Sequence, residues 1–309
     1  MAGVIGALAT LGATYEMIAG LDDSAAYPMV GKMVDVGGYQ LHINCIGQGS
    51  PTVILDAGMG GSSLDWILVQ RELSANSRVC AYDRAGMGWS DPGPGPRSPA
   101  QIAAELHKLL VNARLPAPFI LVAHSLSGKA ARLYAAAHPG QVAGIVLVDT
   151  RTERVDGLIL QAETDTFNAM LENQATAYSI ARHLGLARLF GAILAGKPLL
   201  APDIATEMVL LQTQGKSLKA MTQEGLTRAA DDAELAETSL GSIPLVVVAA
   251  SESMSGIPNW SEAQMALAAL STNGRLVVAE GSSHLVQLDQ PVVVIGAIRS
   301  VLTAVRNDR

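Results

Sequence analysis

Between residues 33 and 305 the chain alternates short, unbroken apolar runs with longer stretches whose apolar residues recur at helical spacing. Runs such as Gly-Ile-Val-Leu-Val at 144–148 and Leu-Val-Val-Val-Ala at 245–249 have no polar face, so as strands they must be covered on both sides. Few architectures meet that demand, and the expected one is a mostly parallel α/β sheet flanked by helices. The strands are placed at 33–36, 40–45, 52–55, 78–82, 119–122, 144–148, 245–249 and 275–279, eight in all. Helices are placed at 99–113, 127–137, 261–270 and 291–305.

From 151 to 242 the rhythm changes to helical sequence rich in Ala, Leu and Met with no convincing strand, which reads as a helical cap inserted into the sheet domain. The expected organisation is therefore an N-terminal apolar helix and lead-in over 1–32, a core over 33–150 and 243–309, and a cap over 151–242. Residues 1–13 are nearly all small or apolar, but no Lys or Arg precedes Lys32 and Glu16 interrupts the run, so neither a secretory signal nor a bilayer-spanning helix is expected. The segment is expected to pack on the body, with a weak association with a membrane surface as the alternative. A cytoplasmic location is favoured, and a membrane-associated or exported one is the alternative.

Charge narrows the partners. The net charge is -7 and the 21 Lys and Arg are scattered, which argues against nucleic acid. The two cysteines, Cys45 and Cys80, are too few and too far apart for a zinc site, and no metal or cofactor is expected. Both lie in apolar segments and are expected as buried thiols, with a disulfide between them as the alternative.

The most informative segment is Phe119-Ile-Leu-Val-Ala-His-Ser125-Leu-Ser-Gly-Lys, an apolar strand entering a helix across a serine flanked by small residues. It resembles the nucleophile elbow of the α/β-hydrolase superfamily, with Ala123 and Ser127 where the pattern usually has glycine, and Gly128 next to them. Three further segments support the resemblance, which covers about residues 33–305. Thr52-Val-Ile-Leu-Asp-Ala-Gly-Met59-Gly-Gly stands where the family carries an oxyanion loop, and implies a hole made by the backbone N–H groups of Met59 and Leu126. Asp83-Arg-Ala-Gly-Met-Gly-Trp-Ser closely resembles the family's Asp-x-Arg-Gly-x-Gly-x-Ser turn, and Asp83 and Arg84 read as loop braces. His284, after the last strand, stands at the place of the family's general base.

The acid is less plain. The loop after strand seven, the usual place, offers Ser253 and the neighbouring Glu252 but no aspartate. Some lineages of the fold carry the acid after strand six, where this sequence has Asp149. Asp149 is preferred and Glu252 stays open. The resemblance thus implies a serine esterase with Ser125 as nucleophile, His284 as base and Asp149 as acid, acting on a small-molecule ester of small to medium hydrophobic size. The alternatives are an amidase or aminopeptidase of the proline-iminopeptidase kind, using the cap acids Glu163, Asp165 and Glu172, and a non-catalytic binding protein on the same fold.

Overall fold

The computed structural model describes residues 2–21, 23–157, 161–236 and 238–307. Its centre is an eight-stranded sheet made of β1 (Lys32–Asp35), β2 (Gln40–Ile46), β3 (Thr52–Asp56), β4 (Val79–Tyr82), β5 (Phe119–His124), β6 (Val142–Val148), β7 (Leu245–Ala250) and β8 (Gly274–Ala279). The strand order is β1-β2-β4-β3-β5-β6-β7-β8. β2 runs antiparallel to both of its neighbours, and from β4 to β8 every pairing is parallel.

β5 and β7 are buried along their whole length, which is why they appear in the sequence as uninterrupted apolar runs. One face is covered by helices Pro99–Asn112 and Ser127–Ala137, where Leu106, Leu109 and Tyr134 pack on Ile54, Leu121 and Val247. On the other face, helices Ile67–Leu73 and Pro291–Asn307 cover Leu55, Val122, Val146 and Val248 with Val69, Val294, Ile298 and Val301. The four helices expected from periodicity lie within two residues of their observed bounds, the usual scatter at frayed ends.

Between β6 and β7 the described residues form six helices: Glu153–Asp156, Gln161–His183, Leu186–Ala195, Pro202–Gln212, Gly215–Leu226 and Asp232–Ala236. They are inserted after β6, which ends at Val148, so they sit over the C-terminal edge of the sheet, where parallel α/β folds place their ligands. Helix Ala2–Gly20 adds to this layer through Glu16, which pairs with Arg188 at 3.1 Å and Arg182 at 3.5 Å. No helix among the described residues is long and apolar enough to cross a membrane.

The cysteines correct one expectation. Cys45 and Cys80 face each other across the antiparallel β2–β4 pair with Cα atoms 4.0 Å apart, and they form a disulfide. Only Cys80 is buried, whereas Cys45 is exposed on the outward side of β2. Apolar neighbours in sequence do not report which strands pair or in what register, and register is what brings two thiols within bonding distance. The bridge spans 35 residues, so replacing both cysteines by alanine should cost about 2–4 kcal/mol in urea unfolding through the freed denatured chain. The site lies on other strands, so the folded variant should keep the protein's activity.

Candidate active site

The elbow is built by steric necessity. β5 ends at His124, helix Ser127–Ala137 begins three residues later, and Ser125 between them sits at φ 55°, the left-handed region that non-glycine residues avoid. Ser127 is small and buried, and its hydroxyl donates to the carbonyls of Asp56 and His124, at 3.0 and 2.8 Å. Gly128 is where size is limiting: a Cβ there would lie 2.1 Å from Cγ2 of Thr150, beside Asp149. Serine is thus tolerated one residue before the position that demands glycine.

Three side chains from separate segments meet at this turn. His284 Nε2 lies 2.9 Å from Ser125 Oγ, and His284 Nδ1 lies 2.6 Å from Asp149 Oδ2. With Nδ1–H donated to the carboxylate, Nε2 is left as an acceptor for the serine proton. Asp149 follows β6 at φ 44° and is wholly buried. Its Oδ1 accepts from the Ala250 N–H at 2.9 Å and the Trp260 indole N–H at 2.8 Å, and its Oδ2 also accepts from the Ser253 hydroxyl at 2.5 Å. Burial pushes this carboxyl's pKa up, but the bonds from His284, Ser253 and Ala250 outweigh it and hold the group below the usual carboxylate range.

Glu252 does not enter the cluster. It is exposed on helix Ser251–Gly256, and its backbone N–H donates to Ser282 O at 3.3 Å. Ser253, which stands at the usual acid position, is instead a donor to the carboxylate from β6. Neither this role nor that of Trp260 was legible, because both contacts join residues more than 100 positions apart. His124 likewise gains a partner: its Nε2–H donates to the backbone carbonyl of His284 at 2.9 Å. Burial, and then the nearby His284, lower its pKa to about 3, so the ring stays neutral.

The two backbone donors are aimed through their own peptide carbonyls. Arg84 Nη2 holds the carbonyl of Gly58 at 2.7 Å, and in a planar trans peptide the N–H of Met59 then points the opposite way, out from the buried guanidinium. The carbonyl of Ser125 accepts from the N–H of Arg151 at 3.3 Å, which directs the N–H of Leu126 away from Arg151 in the same manner. Arg84 is itself fixed between Asp56 at 2.6 Å and Glu224 of the cap at 2.7 Å. Asp83 braces the neighbouring turn through His42 Nδ1 at 2.8 Å and the N–H groups of Ser63 and Trp89.

A cavity of about 530 Å³ opens from this loop into the cap. Met59, Gly60 and Leu285 line it near the cluster, and Ala177, Ala187, Leu194, Met208, Val209 and Met221 form much of its wall. Ser125, His284 and Asp149 are not among its lining residues, and it approaches the cluster through Met59 of the glycine-rich loop and Leu285, next to His284. A second cavity of about 390 Å³, between Tyr27, His42, Trp89 and Glu207, also includes none of the three. Of the cap acids, Asp165 and Glu172 are exposed, and the Glu163 side chain lies outside the described residues.

Comparison with known proteins shows the family and the fold. The profile of the Alpha/beta hydrolase family matches residues 53–297, most of the chain. The chain belongs to the alpha/beta hydrolase family. Among solved structures, the hydrolase fold here is similar to "Epoxide hydrolase CorEH without ligand" (TM-score 0.70, 19% identity, 88% of this chain and 98% of that one). It is also similar to a thermophilic esterase from Thermogutta terrifontis (TM-score 0.66, 21% identity, 89% and 98%). Among curated proteins, the Bacillus subtilis protein YqjL is 23% identical over 84% of this chain and 86% of its own length. This chain spans only 18% of the probable transporter efuK of Hormonema carpetanum, to which it is 36% identical over 129 residues. It spans 39% of the Schizosaccharomyces pombe protein C23C11.06c.

Proposed function

We propose that this alpha/beta hydrolase is a serine esterase that cleaves a carboxylic ester through an acyl-enzyme. The observation that carries the reading is the continuous hydrogen-bonded series Ser125–His284–Asp149 at a strained strand-to-helix turn. His284 Nε2 takes the Ser125 proton as Oγ attacks the ester carbonyl, and Asp149 stabilises the imidazolium that forms. The N–H groups of Met59 and Leu126 receive the charge on the carbonyl oxygen. His284 then returns the proton to the departing alcohol, and a water activated by the same nitrogen releases the acid.

The aliphatic wall of the cavity favours an ester with an apolar arm of small to medium length. An aminopeptidase would need a carboxylate held as an anion for a substrate amine. Neither exposed Asp165 nor exposed Glu172 lines that cavity, and the acid that does, Asp65, has its pKa raised by burial to about 7, so it is not a fixed anion near neutral pH. A chain-length series of p-nitrophenyl esters, assayed beside aminoacyl anilides, tests the assignment. Turnover of the esters with a maximum at intermediate length is the expected result. Turnover confined to the anilides would reverse the assignment.

A further inference from the structure

One buried ionisable group faces the cavity without a part in the chemistry above. Asp65 is 3% exposed on the short turn Ser63–Trp66, and it lines the cavity beside Gly60 and Gly61 of the oxyanion loop. Its carboxyl lies so close to Gly61 that a Cβ there would be 2.2 Å from Oδ2. Its Oδ1 accepts from Gln212 Nε2 of the cap at 3.2 Å, and Gln212 lines the same cavity. Gln174, Tyr178 and Thr213 add further polar atoms to this otherwise aliphatic wall.

The charges around Asp65 are matched elsewhere. Asp83 pairs with His42, Arg84 with Asp56 and Glu224, and Lys197 with Asp289. Asp65 is left with one carboxamide and the backbone N–H of Ser62, and part of its hydrogen-bonding capacity faces the cavity. An alkyl chain filling that space would strip water from the carboxyl and return no bond, which is costly for a buried polar group.

Resting on the esterase reading, we infer that the substrate's arm carries a hydroxyl group which Asp65 and Gln212 bind inside the cap cavity. Burial, and then repulsion from Asp83, raise the Asp65 pKa to about 7, so near neutral pH both of its protonation states are present. A hydroxyl serves both, donating to the carboxylate and accepting from the acid, whereas an ammonium is served by the carboxylate alone. Asp65 and Gln212 thereby act on which ester is accepted, and the bond-making step stays with Ser125.

The test uses two matched sets of esters. In one, p-nitrophenyl hexanoate is compared with its terminally hydroxylated and aminated counterparts; in the other, hexyl acetate is compared with the same two modifications on the alcohol arm. In the set whose arm enters the cavity, the hydroxylated ester should exceed the unmodified one by about 10- to 100-fold in kcat/KM. Asp65→Leu and Gln212→Leu should each bring that ratio to unity or below. Because the ratio is taken within each variant, it does not depend on how much of the protein is folded. Preference for the unmodified or the aminated ester in both sets overturns the inference, as does a ratio unchanged in both variants. Hydrolysis of the unmodified esters without a hydroxyl preference leaves the esterase reading standing; no turnover of any ester removes both.

Discussion

Ser125→Ala will lower kcat for ester hydrolysis by about 10⁴- to 10⁶-fold, the scale on which serine hydrolases lose activity when the nucleophile is deleted. The change removes one oxygen, and that oxygen's described bond is the one its hydroxyl donates to His284 Nε2. The sheet beneath is untouched: β5 keeps its pairings with β3 and β6, and Ser127 keeps its bonds across the turn. The variant should therefore unfold at nearly the wild-type temperature while turning over ester no faster than a protein with only its binding groups and oxyanion donors. Loss of activity together with loss of the folded state would not count as support, so thermal unfolding is measured beside the kinetics. Activity within tenfold of wild type would remove Ser125 from the mechanism.

The second large effect concerns the acid. Asp149→Asn keeps the shape of the side chain, but the amide can present its NH₂ to His284 Nδ1 and favour the wrong tautomer, in which Nε2 carries the proton and cannot accept another. The expected loss in kcat is about 10⁴-fold, as for the equivalent change in a serine protease. Glu252→Gln should leave kcat within about twofold, because exposed surface changes away from the site rarely exceed a few tenths of a kcal/mol. The pair is decisive because the two residues were the two candidates for one role. A severe loss in Glu252→Gln with a mild one in Asp149→Asn would mean that His284 turns to the other carboxylate during turnover.

How much of this was legible in the sequence depended on the range of each interaction. β5, β6 and β7 were plain because burial on both faces writes itself into consecutive residues. Ser125 and His284 were legible because each sits at a strand end whose local sequence marks the turn. Asp149 could be named, since it directly follows β6, but the choice over Glu252 turned on what receives the side chain: Ala250 N–H, the Ser253 hydroxyl and the Trp260 indole. Those partners come from β7 and the two helices after it, and no local pattern foretells them. The disulfide was missed for a related reason, because β2–β4 adjacency follows from the fold whereas the Cys45–Cys80 register needs the backbone. Asp65 carried no signal at all. A lone aspartate before Trp66 reads as a turn residue until Gln212, nearly 150 positions away, is brought beside it.

The most direct measurement of the central claim is covalent. The native protein is incubated with a fluorophosphonate, which is attacked by an activated serine and leaves a stable adduct, and the modified peptide is located by mass spectrometry. A single adduct on Ser125, reduced at least a hundredfold in His284→Ala and absent from Ser125→Ala, is the predicted result. An unlabelled Ser125 in a preparation that hydrolyses ester, or an equal adduct with His284 removed, would contradict it.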